Sequence, residues 1–142
     1  MSLIYLLDTN IISEVTKEKP NKNVIMNLES YNGKCAISSI TWFELMNGVL
    51  NLEDGRKKQN LMSFLLDYVK PCFPIVSYDS HSADIHADLT NRLKAAGSPA
   101  PILDTQIASI SIANNLILVT HNTKDFEPFK SHFNLMLEDW II

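Results

Sequence analysis

The run Leu3-Ile4-Tyr5-Leu6-Leu7, followed at once by Asp8, constrains this chain more than any other stretch. Five successive apolar residues without alternation read as a short strand buried on both faces, the habit of a parallel sheet with helices on each side. Ile11 to Val15 then begin a helix-like pattern, so the Asp8 carboxylate stands at a strand-to-helix junction. In open α/β sheets, chemistry gathers at the carboxyl ends of the strands. Acids at equivalent junctions are therefore the residues to seek. Three further positions qualify: Glu44, Asp104, and the stretch from Thr120 to Phe126, which holds Asn122 and Asp125.

The rest of the chain repeats the alternation. Lys34 to Ser38, Ile75 to Tyr78, Leu116 to Thr120 and Asn134 to Leu137 read as further strands. A helix is expected from about Asn21 to Tyr31, after the Lys19-Pro20 break. Trp42, Leu45, Met46, Val49 and Leu50 then follow one helical face. Leu61, Phe64, Leu65, Tyr68 and Val69 form the face of a second helix, ended by Pro71 and Pro74. Together these predict an αα-hairpin over about residues 41 to 70, with Gly55 suited to the αL turn that closes its first helix. Asp79 or Ser80 is placed to cap a helix bearing Ile85, Leu89 and Leu93. The loop Gly97 to Pro101 follows, and Asp104 opens a helix to about Asn115. Strands alternating with helices imply a parallel sheet with right-handed crossovers. No repeat, linker or low-complexity tract interrupts the pattern. The expectation is one α/β domain over residues 1–142, a three-layer α/β/α arrangement with a central parallel sheet and an αα-hairpin.

Composition narrows the function. Apolar residues make up 46% of 142, enough for a sizeable core and against disorder. No apolar stretch approaches the roughly 18 residues that suggest a membrane span, and no basic-then-apolar leader is visible. The expectation is a cytoplasmic protein with no membrane partner. Cys35 and Cys72 form no C-x-x-C pair and sit in apolar surroundings, which reads as buried thiols in a reducing compartment. His81, His86, His121 and His132 lack zinc spacing. The net charge of −4 argues against indiscriminate coating of nucleic acid. It leaves room for a nuclease whose acids share one pocket while lysines line the rim. Lys17, Lys19, Lys22, Lys34, Lys124 and Lys130 are the rim candidates, each with an ordinary solvated lysine as its plainer reading.

Each candidate acid has a structural reading of its own. Asp8 suits an N-cap. Thr41-Trp42-Phe43-Glu44 matches the T-x-x-E capping box. Asp104 would cap the helix after the Pro-rich loop, Asn122 suits a turn, and Asp125 would cap a short helix near Phe126 to Lys130. Their joint placement points elsewhere, because in a parallel sheet all these junctions lie along one edge. Clustered carboxylates resist ionisation, and a cation relieves the repulsion. An all-oxygen set without Cys or His suits Mg2+ or Mn2+. An ion so held acidifies water and neutralises phosphoryl oxygens, which implies metal-assisted hydrolysis of a phosphodiester.

At these residues the sequence resembles the PIN-domain nucleases, and within them the VapC-type toxins of bacterial toxin–antitoxin pairs. The resemblance is carried in order by Leu7-Asp8-Thr9-Asn10, by Ser38 to Leu45 with Gly48, by Asp104-Thr105-Gln106-Ile107-Ala108, and by Leu118 to Asn122 with Asp125-Phe126. The closing Leu137-Glu138-Asp139-Trp140 also fits. The resemblance implies Mg2+- or Mn2+-dependent endoribonuclease activity with Asp8, Glu44 and Asp104 as the acidic, metal-holding triad. It also implies an RNA substrate, for some members a tRNA, a cognate small antitoxin, and a homodimer built partly from the αα-hairpin. Where many relatives carry a fourth acid, this chain has the neutral Asn122; Asp125 is the alternative source of that charge.

Three rival readings remain. A receiver-like phosphoacceptor would use Thr120 and Lys124, but Asp54 falls between two helices and Asp79 lacks the acid expected beside Asp8. A haloacid-dehalogenase-type phosphatase would need a second Asp where Asn10 stands. A catalytically silent PIN-like module kept for protein binding would need no triad. No run of aromatic and basic residues marks a base-reading surface.

Overall fold

The computed structural model describes residues 2–142; Met1 of the domain expected over 1–142 lies outside the described residues. Five parallel strands form the sheet: β1 (Tyr5–Leu7), β2 (Cys35–Ser38), β3 (Ile75–Val76), β4 (Ile117–Val119) and β5 (Met136–Glu138), in the order β3-β2-β1-β4-β5. Strand side chains alternate between faces, and two cores result. Leu7, Ile37 and Val119 join one with Ile11 and Ile12 of α1 (Thr9–Val15), Val24 of α2 (Lys22–Ser30), and Leu45 and Val49 of α3 (Ser39–Leu50). Leu6, Ala36 and Leu118 join the other. Its helices are α6 (Ser80–Ala95) with Leu89 and Leu93, α7 (Ile102–Ala113) with Ile107 and Ile110, and α8 (Thr123–His132) with Phe126 and Phe129. This is the expected three-layer arrangement.

The αα-hairpin pairs α3 with α4 (Arg56–Phe64), which runs on through a π-helical turn (Leu65–Val69) into α5 (Lys70–Cys72). Pro71 therefore does not end the helix, as expected, but is carried within it. Proline has no N–H to donate, and just ahead of it the ladder has widened, with Lys70 N–H donating to Leu65 C=O. Gly55 is also placed differently. The first hairpin helix stops at Leu50, with Asn51 as a right-handed C-cap. Gly55 instead precedes α4 at φ +156°, a backbone that L side chains rarely adopt. Strand β3 holds two residues rather than four, because Tyr78 N–H turns to Ser39 Oγ at 3.1 Å. Cys35 is buried as expected, but Cys72 is exposed: Phe73 takes the inward position beside it.

Topology singles out one crevice. The chain leaves the central β1 for β2 and β3 on one side, then crosses to β4 and β5 on the other. The order reverses between β1 and β4, and such a switch point opens a crevice at the carboxyl ends of the strands. Leu7 lies opposite Val119 in that pair, so the residues that follow, Asp8 and Thr120, meet there. No helix among the described residues is long and apolar enough to cross a membrane.

Candidate active site

Asp8 is the N-cap of α1 and only 6% exposed. Its Oδ1 accepts Thr9 N–H at 2.8 Å; its Oδ2 accepts the Thr120 hydroxyl at 2.8 Å and Asn10 Nδ2 at 3.3 Å. Burial pushes the carboxyl above its ordinary range, the bonds from Thr120, Thr9 and Asn10 pull it down, and the charge of Asp125 raises it again. Asp8 is thus a cap and a member of a carboxylate group at once.

Thr120 is the hub behind it. Its hydroxyl, fully buried, also accepts Asn122 N–H at 3.0 Å and Asn10 Nδ2 at 3.3 Å. The side-chain Oδ1 of Asn10 in turn accepts His121 N–H at 3.0 Å. The ends of β1 and β4 are therefore tied by side chains as well as by the ladder. Sequence reasoning gave Thr9 and Asn10 no role in the site, and placed Thr120 at its edge without the role of holding Asp8. Their signal was present, as a hydroxyl and an amide directly after the first acid and a hydroxyl ending a later strand.

Glu44 does not complete a capping box. The cap of α3 is Ser38, whose Oγ accepts Thr41 N–H at 2.9 Å, so the helix has begun before Thr41. Glu44, half-buried, instead accepts the Thr9 hydroxyl at 2.8 Å across to α1. Burial raises its pKa, the Thr9 bond lowers it, and Asp8 raises it. Asp104 is no cap either. Helix α7 starts at Ile102 after Pro101, and no side chain caps it. The Asp104 pKa is pushed from 3.8 to about 6, first by burial and then by the charges of Asp8, Asp125 and Glu44. Among the described residues no hydrogen bond offsets that rise.

Helix α8 begins at Thr123, with Asn122 in the cap position but its side chain making no capping bond. Asp125 is therefore not a cap for a helix near Phe126; it lies exposed in the first turn, its N–H donating to Asn122 C=O at 3.0 Å. Asp104 and Asp125 share a cleft of about 280 Å³ with Lys124, Pro128 and the loop Ser98 to Pro101. The receiver reading finds no support: Asp54 is exposed in the hairpin turn and pairs with Lys58 at 3.2 Å.

Asp104 thus feels the charges of Asp8, Asp125 and Glu44 at the carboxyl edge, and all four side chains offer oxygens only. That chemistry suits a hard divalent ion. Among the described residues, no three Asp, Glu, His or Cys side chains gather closely enough to hold an ion as they stand. Asp8 and Glu44 are turned to the hydroxyls of Thr120 and Thr9 instead. The donor set fits such an ion in kind, being carboxylate oxygens alone.

A model of the PIN domain family matches residues 5–130. Ribonuclease VapC2 of Rickettsia felis is 32% identical over 140 residues, 97% of this chain and 98% of that protein. The structure of FitAcB from Neisseria gonorrhoeae matches with a TM-score of 0.86 at 30% identity, over 96% of this chain and 98% of that one. A toxin–antitoxin complex from Klebsiella pneumoniae matches with a TM-score of 0.66 at 27% identity, over 86% and 89%. With its motifs in order, its sheet order and these likenesses in agreement, the chain belongs to the PIN domain family.

Proposed function

We propose that this protein is a divalent-metal-dependent endoribonuclease and the toxin of a toxin–antitoxin pair, acting in the cytoplasm on a structured RNA such as a tRNA. One observation carries the reading: at the switch-point crevice Thr9 links Asp8 to Glu44, its N–H donating to one and its hydroxyl to the other, while Asp104 and Asp125 line one cleft and the charges of Asp8, Asp125 and Glu44 all raise the pKa of Asp104. The relative named a ribonuclease supports the chemistry, and the neighbour described as a toxin–antitoxin complex supports the partner.

Asp8, Glu44 and Asp104 would hold Mg2+ or Mn2+. Bound there, the ion contributes water activation and charge neutralisation at a phosphate. The protein's own part is orientation. Thr120 and Asn10 fix Asp8, and Thr9 fixes Glu44, so two of the three acids sit on braced side chains. Asn122 offers a carbonyl oxygen or an amide donor, suited to orienting a water or a phosphate oxygen. Asp125 supplies the fourth negative charge. With no substrate bound, such a pocket is a receptor for the guanidinium or ammonium of an antitoxin. The exposed Leu50, Leu66 and Tyr68 of the hairpin suit the apolar centre of a homodimer contact.

The test is incubation of pure protein with structured RNA, with Mn2+ and with EDTA. Internal cleavage is expected with Mn2+ only, and Asp8→Asn should remove it by about a thousandfold, the upper range for losing one preorganised charge contact. Expression should arrest growth, and co-expression of the adjacent small gene should relieve it. Cleavage that persists in EDTA and in Asp8→Asn would overturn the metal mechanism; normal growth at high levels of the wild type would overturn the toxin assignment.

A further inference from the structure

A centre made of carboxylates must still admit a polyanion, and the chain as a whole is negative. The lysines differ in what they are free to do. Lys17 is held by Glu14 at 2.8 Å and Lys130 faces Glu127 at 4.0 Å, both within one helix-surface spacing. Of the six rim lysines, Lys124 alone lines a cleft that also carries carboxylates of the site. It is the one cation in that cleft, and it has no ion-pair partner among the described residues.

Its position is also braced. Lys124 lies in the first turn of α8, and that helix is seated by Phe126 and Phe129, both essentially buried. The start of α8 is registered on Asp8 through one hydroxyl: Thr120 Oγ1 donates to Asp8 Oδ2 and accepts Asn122 N–H. Pro99 and Pro101, in the loop leading to Asp104, line the same cleft, and their rings fix φ at those two positions. The cleft holds about 280 Å³, just below the usual range of small-molecule pockets, and is open to solvent.

We infer that this cleft is the subsite for the nucleotide adjoining the scissile bond, with the Lys124 ammonium contacting the neighbouring backbone phosphate. The inference rests on the nuclease reading and deepens it. Lys124 acts on binding, as a positioning residue, and takes no part in bond cleavage. A phosphate one nucleotide away from the reacting one keeps its full charge throughout, so the contact is made equally in the ground and transition states. Its loss should raise KM much more than it lowers kcat.

The experiment is fluorescence anisotropy of a labelled single-stranded RNA oligonucleotide with the full chain in EDTA, across a salt series. Wild type, Lys124→Ala, Lys124→Arg and, as control, Lys130→Ala are compared, with cleavage kinetics in Mn2+ alongside. Lys124→Ala should weaken binding about tenfold at low salt, the usual weight of one charge-assisted contact. It should also flatten the slope of log K against log salt by about 0.7. Lys124→Arg should restore both, and Lys130→Ala should match wild type. Wild-type binding that does not depend on Lys124, or an equal loss in Lys130→Ala, overturns the subsite and leaves the nuclease reading standing. A wild type that neither binds nor cuts RNA overturns the nuclease reading, and the subsite falls with it.

Discussion

On the β1–β4 side of the crevice, Asp8 takes hydrogen bonds from Thr9, Thr120 and Asn10; on the α7–α8 side, Asp104 takes none and its pKa climbs to about 6. Both carboxylates are at least partly buried, and both feel the other acids. The difference lies in what surrounds the charge. Donors around Asp8 stabilise its ionised form and fix its rotamer. Around Asp104 the negative charge is left uncompensated, so the folded protein holds it at a cost in stability. An arrangement of that kind is expected where function needs a charge that packing would rather lose.

Removing the uncompensated charge should separate stability from activity most sharply. Asp104→Asn should abolish cleavage, by about a thousandfold, while the fold stays as stable as wild type or more so. The pH dependence follows from the direction of the shift. An acid whose pKa rises on folding favours the folded state at low pH, and that contribution is lost as pH climbs from 3.8 through about 6. In thermal melts without metal, the stability advantage of Asp104→Asn should therefore be least below pH 4 and should grow up to about pH 6. A variant that loses about 1 kcal/mol, as a lost cap would, and keeps its activity would erase the contrast between the two sides.

The braced side should show the opposite coupling. Thr120→Val removes the donor to Asp8 Oδ2 and the acceptor of Asn122 N–H together. It should lower activity by about 10–100-fold, as changes to groups that orient metal ligands do, and cost about 1–3 kcal/mol in a denaturant melt. Thr120→Ser should recover both. If Thr120→Val retains full activity, bracing of Asp8 is not what that hydroxyl provides.

A smaller effect sharpens the comparison at α8. Asp125 is exposed yet raises the pKa of both Asp8 and Asp104. Asp125→Asn should therefore weaken Mn2+ affinity by about tenfold, the lower end of the range for outer groups, whereas Asn122→Ala should lower turnover with affinity little changed. If Asn122→Asp tightens Mn2+ binding and Asp125→Asn has no effect, the site is completed at position 122.

What was legible in the sequence tracks the range of the interactions. Cys35 to Ser38 is a buried run and Ile117 to Val119 an apolar one, buried from Leu118 on, and such runs announce strands without alternation; both fall where expected. Asp8 was legible because it directly follows a strand and Glu44 because it lies in the helix after one, whereas Asp104 follows α6 and the loop to Pro101 and was legible only as an acid in the first turn of its helix. The misreadings came from close competition between local options. Thr41 and Glu44 satisfy the capping-box pattern, but the Ser38 hydroxyl is one turn earlier and takes the cap. Gly55 was assigned to the end of one helix when it serves the start of the next. Cys72 lies next to Phe73, and only the packed hairpin decides which of the two faces inward. The residue types of the bracing stand in the sequence, but their pairing does not, since Asn10 and Thr120 meet across 110 residues of chain.

The central claim is that the uncompensated side of the crevice exists to hold a divalent ion. Calorimetric titration of Mn2+ into the EDTA-stripped, dialysed protein at pH 7 tests it directly. Saturable binding is expected in wild type, with loss of binding in Asp104→Asn and no loss in the exposed control Asp54→Asn. Absence of binding in wild type, or equal binding in Asp104→Asn, would contradict it.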